Sequence, residues 1–324
     1  MGLRIQTNMQ ALNSQRALAS ATAANDLSME KLSSGSRINK SSDDAAGLAI
    51  SEKLKADVRS LNMAKRNAND GISMLQVAEG GMNEIGNVLS RLRELSIQGA
   101  SDTIGNKERE FINKEYTSLK DEIDRITNST EYNGTLLLVG ANPKERLSDD
   151  KLIAKTNTSP FEFQVGKNWY KGVDAQGAEG GFGRNPVNVI RANFDKFDTS
   201  TTGLGLGLGS DDTLESTGTY IAESSNSNDS KLRAQKSISK LDDAISTVAK
   251  FRADIGATQS RLNSTVSNLG TMSENFSAAN SRIRDTDFAE ETTKLTQSNI
   301  LKQAGVAVLA QANQSPASAM RLLG

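Results

Sequence analysis

The fold is decided by a stretch from Ala234 to Ile283, which reads AQKSISKLDDAISTVAKFRADIGATQSRLNSTVSNLGTMSENFSAANSRI. Apolar residues recur in it at every seventh position, and Ile238, Ile245 and Val266 fill intervening positions. A sustained period of seven is typical of helices that wind around a partner in a left-handed coiled coil. The positions that define the period are Ala234, Leu241, Val248, Ile255, Leu262, Leu269, Phe276 and Ile283.

A second stripe with the same period lies earlier in the chain, and a shorter one runs from Ile112 to Ile126. At about 1.5 Å per residue, the two long helices would each extend roughly 70–80 Å and would match in length. We therefore predict a mainly α fold: a long antiparallel coiled-coil rod built from N- and C-terminal segments, with the shorter helix folded back alongside. The earlier stripe consists of Leu54, Leu61, Ala68, Leu75, Met82 and Leu89.

The composition changes between the two helical parts. Pro143, Pro160, Pro186 and Trp169 lie there, together with the glycine-rich run at residues 203–209. These residues disfavour helix and favour short strands and turns. Just before them, the sequence YNGT at residues 132–135 has the Asn-Gly pair of a tight hairpin turn. We predict a β-hairpin there, followed by a small central insert of β and irregular structure over residues 141–225.

Composition also excludes several kinds of chemistry. The chain has no histidine and no cysteine, so the commonest general base and the commonest metal ligands are missing. The glycine run does not match the spacing of a dinucleotide-binding loop. Asp43 precedes an alanine-rich segment and is predicted to cap a helix. We predict no catalytic, cofactor or metal site, and a balance of 38 basic and 39 acidic side chains indicates neither nucleic acid nor a membrane as partner.

The two ends of the chain carry weaker apolar stripes. Arg16, Asn299 and Lys302 interrupt them, and alanine, which supplies little buried area, takes many of the apolar positions. Either terminal helix alone would be marginally stable, so we expect both to need further partners, namely copies of the same chain. The residues predicted to form this polymerisation surface are Ile5, Met9, Leu12, Leu27, Phe288, Leu295, Val306 and Leu309.

Charged residues are also regularly placed on the predicted second and third helices. Their spacing alone indicates that they lie on the solvent-exposed outer faces of the helices and form only weak ion pairs between neighbouring turns. This prediction covers Arg91, Arg93, Glu94, Arg109, Glu110, Glu115 and Glu122.

Several motifs resemble bacterial flagellins. Near the N-terminus these are IQTN at residues 5–8, LSSGSRIN at 32–39, DDAAGLAI at 43–50 and NDGISMLQ at 69–76. Near the C-terminus they are SRIRDTDFA at 281–289 and QAGVAVLAQANQ at 303–314. The resemblance covers about residues 1–140 and 230–324 and leaves out the insert.

The resemblance implies a domain organisation. Residues 1–42 and 286–324 would form a terminal helical domain that lines the core of a filament and is disordered in the free monomer. Residues 43–140 and 226–285 would form the coiled-coil rod, and residues 141–225 an insert that projects outward. Deletion of about residues 145–220 should then preserve assembly. Subunits that stack head-to-tail make heterologous, open-ended contacts, which is how one chain builds a filament.

The resemblance also implies location and partners. A flagellin is exported through the flagellar type III apparatus without a cleaved signal peptide and lies outside the cell in the filament. Its partners would be other copies of itself, an export chaperone, the filament cap and hook–filament junction proteins. A hook–filament junction protein, from the same machinery, is the alternative function. An enzyme within the insert would need titratable groups that converge on one site, and the sequence of the insert shows no recognisable arrangement of that kind.

One motif resembles the flagellin surface that Toll-like receptor 5 binds. It is LSRLRELSIQ at residues 89–98, with Glu115 on the neighbouring helix. The resemblance implies that Arg91, Leu95 and Glu115 contact the next subunit in the filament and, secondarily, the receptor. Ser90 departs from the glutamine that is commoner at this position in the family.

Overall fold

The computed structural model describes residues 8–140, 161–168, 188–194, 206, 221 and 227–323. The described part is mainly helical, as predicted, with two small antiparallel strand pairs between the helical segments. Within it, no helix is both long and apolar enough to cross a membrane. The helices are α1 (Met9–Ser34), α2 (Ala45–Gly99), α3 (Asn106–Ser129), α4 (Ser227–Arg284) and α5 (Phe288–Leu323), and the strands are β1 (Glu131–Tyr132), β2 (Thr135–Leu136), β3 (Phe161–Gln164) and β4 (Val189–Ala192).

The chain divides into two compact units. The first consists of Met1–Arg59 and Met272–Gly324, and the second of Ser60–Thr271. The first unit therefore combines a segment from before the predicted insert with one from after it. The second unit contains the insert in its range.

The core of the second unit follows the seven-residue period. On α4 the side chains at the predicted positions from Ala234 to Leu269 are buried, and on α2 so are those from Leu61 to Leu89. Arg93 on α2 pairs with Asp242 on α4, while Gln259 donates to Glu79, so one helix rises as the other falls in sequence number. The predicted antiparallel packing of these two helices is confirmed within this unit. From α3, Ile112, Tyr116 and Ile123 complete the core.

The predicted hairpin lies directly after α3. Glu131 pairs with Leu136 and Tyr132 with Thr135 across it. Asn133 and Gly134 connect the strands with φ angles of 52° and 73°. Two successive positive φ angles are what a type I′ turn requires, and asparagine followed by glycine adopts them at the lowest cost.

Part of the predicted insert lies in the core of the second unit. β3 and β4 pair with Phe163 opposite Ile190, and the rings of Phe161 and Phe194 meet edge to face at 5.3 Å. Phe163 lies on Gly71 of α2, where a Cβ would come within 2.9 Å of its ring. The described part of the insert therefore contributes to the core of this unit, and the outward projection of the insert in a filament stays a prediction. Val165, Ile190, Ala192, Phe194, Leu206 and Ile221 all belong to the same apolar cluster as the helices.

The connections in the first unit are tied by backbone hydrogen bonds. Gly35 ends α1 with a φ of 68°, and Ser36 forms an isolated antiparallel bridge with Asp285, between α4 and α5. The predicted cap is wrong by one residue: Asp44, not Asp43, accepts from the Gly47 amide at the start of α2. The Asp43 carboxylate closes the preceding turn, and hydrogen bonds from the Lys40 and Asn39 amides hold its pKa below the ordinary value.

Candidate assembly surface

The helices α1 and α5 pack against each other through polar and small residues. The Asn25 side-chain amide donates to Asn299 at 2.9 Å, and the Ser28 hydroxyl donates to Glu291 at 2.7 Å. At the other end, the Asn8 side chain donates to the carbonyl of Ala312 at 2.8 Å. These pairs run in opposite directions along the two helices, so the helices are antiparallel. Asn25, Ser28, Glu291, Ser298 and Ala312 are the buried residues of the pair.

Most of the large apolar side chains of the same two helices are exposed, although Leu18 of α1 lies against Gly305 of α5. Phe288 is 69% exposed and Val306 is 53% exposed. On α5, Phe288, Ile300 and Leu301 line a shallow groove whose other residues are mainly threonines. Monomeric proteins rarely leave contiguous apolar surface open to water, and such surface marks interaction sites. We use the name terminal apolar face for the exposed apolar side chains of α1 and α5, which lie on more than one side of each helix. They are Met9, Leu12, Leu27, Met29, Phe288, Ile300, Leu301, Val306 and Val308.

The predicted polymerisation residues divide into three groups. Met9, Leu12, Leu27, Phe288 and Val306 belong to the terminal apolar face. Leu295 and Leu309 are half-buried, and Ile5 lies outside the described residues. The sequence did not predict Met29, Ile300, Leu301 and Val308 as surface contacts, because they lie outside the stripe of apolar residues at three- and four-residue spacing.

A second surface lies on α2 and α3. Arg91 contacts the carboxylate of Glu115 through Nε at 3.1 Å and Nη2 at 2.9 Å, and that of Glu94 at 2.9 Å. These hydrogen bonds, the one to Glu115 first, raise the pKa of the Arg91 guanidinium. All three side chains are about half or more exposed, so solvent screens the pairs and each contributes little to stability. The cluster therefore presents charge at the surface.

Leu95 does not share that surface. Its side chain is 2% exposed and packs in the apolar cluster of the second unit. The prediction that Leu95 makes a surface contact is corrected for the single chain. Leu92 and Leu95 are three residues apart and both face the core, which leaves Arg91 and Glu94 facing water.

Among the charged residues predicted to lie on outer helix faces, Arg109 differs most from the prediction. It is 1% exposed. Its guanidinium donates to the carbonyls of Gly99 and Ser101, both at 2.9 Å, and to Asn106 Oδ1 at 3.3 Å. Spacing could not reveal this, because Arg109 stands one turn into α3 at a position where the connection from α2 folds over it. Its position close after a predicted helix end was the available signal.

The described residues contain no cluster of carboxylates suited to a metal ion. Asp43 and Asp44 serve the turn and the helix start. Two further pairs of adjacent aspartates, Asp149 with Asp150 and Asp211 with Asp212, lie outside the described residues, as does the glycine run apart from Leu206.

Known proteins resemble this chain over its whole length. Residues 5–143 match the bacterial flagellin N-terminal helical region, and residues 238–323 match the bacterial flagellin C-terminal helical region. Polar flagellin B/D of Vibrio parahaemolyticus and flagellin D of Vibrio cholerae are each 36% identical, over the full length of both chains. A crystal structure of Bacillus cereus flagellin is 25% identical, with a TM-score of 0.43, over 66% of this chain and 94% of that one.

Paired terminal helices with large apolar side chains open to water define a class of chains that associate with other protein surfaces. The chain belongs to the flagellin family, as the two matched regions and the full-length relatives show. It is therefore a structural subunit of the bacterial flagellar filament that associates with copies of itself, and it is not an enzyme.

Proposed function

We propose that the chain polymerises head-to-tail into the filament that propels swimming bacteria, and that the terminal apolar face is its principal contact between copies. The observation that supports this most is the distribution of polar and apolar groups on the α1 and α5 pair. Its most buried side chains are mainly polar, whereas most of its large apolar side chains are exposed. Water is a poor environment for those apolar side chains, and a neighbouring copy would cover them.

The energetics favour assembly over a stable single molecule. Full burial of one large apolar side chain contributes about 1.5–3 kcal/mol. The nine side chains of the face are about half exposed, so cover from neighbours would supply roughly 10 kcal/mol gross. In the monomer that gain is missing, while the entropy cost of ordering two long helices remains. We propose that α1 and α5 become fully ordered only when neighbours surround them, in the manner of coupled folding and binding.

The cluster of Arg91, Glu94 and Glu115 is proposed as a second contact between subunits. The same cluster would bind Toll-like receptor 5, with Arg91 and Glu115 making the contacts. Leu95 would support α2 from within the core, because its side chain is buried. Exposed charges at a contact between proteins contribute more to the specificity of binding than to its affinity.

Further partners follow from membership of the flagellin family. We propose that the chain leaves the cell through the flagellar type III apparatus, held before export by a chaperone. It would then meet the filament cap and the hook–filament junction proteins outside the cell. The same terminal apolar face is available to a chaperone before assembly, since it is open to water in the single chain.

Seeded growth tests the proposal. Purified protein is added to filament fragments, and lengthening is followed by electron microscopy for the natural chain, Val306→Asp and Val77→Asp. Val77 is 39% exposed on α2 in the second unit, so its variant is a matched control for the same chemical change. Loss of one buried valine costs about 1.5–3 kcal/mol, and each 1.4 kcal/mol is about tenfold in affinity. Val306→Asp should therefore raise the protein concentration needed for growth by at least about tenfold, with Val77→Asp unchanged.

Two outcomes would contradict the proposal. Equal growth of Val306→Asp and the natural chain would remove the terminal apolar face from the contact between copies. Failure of the natural chain to lengthen any fragment would instead favour a role at the hook–filament junction.

A further inference from the structure

The corner between α2 and α3 is built around the buried guanidinium of Arg109. The two carbonyls that accept its hydrogen bonds, from Gly99 and Ser101, stand at the end of α2 and just beyond it. The C-terminal end of a helix carries a partial negative charge from its unpaired carbonyls, which stabilises a cation there. An arginine fork suits this position because its donors have fixed directions.

The apolar contacts of α3 do not by themselves define one axial position along α2. Ile112, Tyr116 and Ile123 form a periodic stripe that faces another periodic stripe, and a shift by about one helical turn keeps apolar groups in contact. A buried polar group removes this degeneracy, because any other register leaves its donors without acceptors. Arg109 is such a group.

The same register determines the charged surface further along. From the Arg109 contact with Gly99, six residues along α3 lead to Glu115, and eight residues back along α2 lead to Arg91. The two carboxylate contacts of Arg91 at 2.9 Å involve one residue on its own helix and one on α3. A displaced α3 would keep the contact with Glu94 and lose the one with Glu115.

We propose that Arg109 is a positioning residue that sets the axial register of α3 on α2 and thereby holds Glu115 beside Arg91. The consequence for filament contacts and receptor binding rests on the function proposed above for that charged cluster. The register itself is a property of the single chain and is measured without assembly.

Spin labels measure the register directly, since a chain without cysteine accepts them at chosen positions only. Gln76→Cys on α2 and Ser118→Cys on α3 are exposed positions displaced along the helix direction. Distances between nitroxides are compared for the otherwise natural chain, Arg109→Met and Arg125→Met. Arg125 is a matched control on the same helix, 65% exposed and paired with Glu122. Arg109→Met should shift the distance by up to about 5 Å, one helical turn, or at least double its spread, and Arg125→Met should leave it unchanged.

A second variant, Arg109→Lys, keeps the charge and much of the stem but cannot bridge the same acceptors. It should fold and show a broadened distance even where Arg109→Met does not fold. A distance distribution identical to the natural one in whichever of the two variants folds would overturn the proposal. A shifted register combined with normal seeded growth would support the positioning role and would count only against the charged cluster as a filament contact.

Discussion

The hydroxyl of Ser28 donates a 2.7 Å hydrogen bond to the carboxylate of Glu291, which lies 263 positions away in the chain. The two side chains are 5% and 6% exposed, so a serine and a glutamate occupy the kind of position that leucine and isoleucine fill in the second unit. The two ends of the chain thus recognise each other through polar groups. Most of their large apolar side chains remain exposed and are available to other molecules.

Replacing Ser28 by alanine should loosen the α1 and α5 pair. A carboxylate oxygen of Glu291 would lose its serine donor within a buried site, which costs about 1–3 kcal/mol. In the assembled filament, where α5 is expected to be protected, amide hydrogen exchange in its first turns should become at least about fivefold faster. The control is Ser14→Ala on the same helix, where the exposed hydroxyl donates only to the Gln10 carbonyl. Equal exchange in both variants would show that the pair does not depend on this contact.

Two glycines of α2 should respond in opposite ways to alanine. Gly80 has open space where a Cβ would be added, so Gly80→Ala should gain about 0.5–1 kcal/mol from helix propensity. At Gly71 the added Cβ would come within 2.9 Å of the Phe163 ring, so Gly71→Ala should lower the melting temperature. Thermal unfolding followed by circular dichroism measures both changes.

The reason for the difference is checked by a double variant. Phe163→Leu makes room at Gly71, so Gly71→Ala should cost less in that background than in the natural chain. An undiminished cost would mean that Phe163 does not lie on α2 in solution.

Deletion of the described strands should cost stability. Replacement of residues 145–220 by a short linker removes Val165, Ile190, Phe194 and Leu206 from the apolar cluster. Loss of several large buried side chains is worth more than about 5 kcal/mol, so the melting temperature should fall by at least about 10 °C. The control deletion spans residues 169–187 and retains β3 and β4. Equal melting of the two deletions would show that the strands contribute nothing to the core.

The ion pair between Lys231 and Asp102 should give a pH-dependent stabilisation. The hydrogen bond from Lys231, followed by its charge, lowers the pKa of the Asp102 carboxyl. An unfolded aspartate titrates at about 3.9, so the stabilisation is present above that pH and is lost as the pH falls through the lower folded value. Asp102→Asn should therefore lower the urea midpoint slightly at pH 7 and leave it unchanged near pH 2. Asp254→Asn, at an exposed position on α4, is the control. A difference that persisted at low pH would assign the effect to something other than charge.

The sequence predicted the parts of the fold that rest on repetition or on backbone angles. Leu241 and Leu262 are buried because a seven-residue period places them on one helix face, and the sequence displays that period directly. Asn133 and Gly134 were recognisable because few residue pairs accept two positive φ angles. Antiparallel packing followed from the matched lengths of the stripes.

Other features depended on contacts that a linear pattern does not contain. Arg109 is buried because the chain between α2 and α3 folds over it, and its spacing resembles that of any exposed arginine. Leu95 was assigned to a surface because the motif at residues 89–98 resembles a receptor-binding surface of flagellins, whereas in this chain its side chain faces the core. The docking of Phe163 on Gly71 joins residues that are far apart in sequence and share no period.

The terminal apolar face as the contact between copies is tested most directly by amide hydrogen exchange of α1 and α5, compared between the monomer and the assembled filament. The buried stretches of α2 and α4 in the second unit serve as an internal reference in both samples. The amides of α1 and α5 should exchange rapidly in the monomer and become strongly protected in the filament, while the reference remains protected throughout. Equal protection of the terminal helices in the monomer and the filament would contradict the proposal that neighbouring copies cover the terminal apolar face.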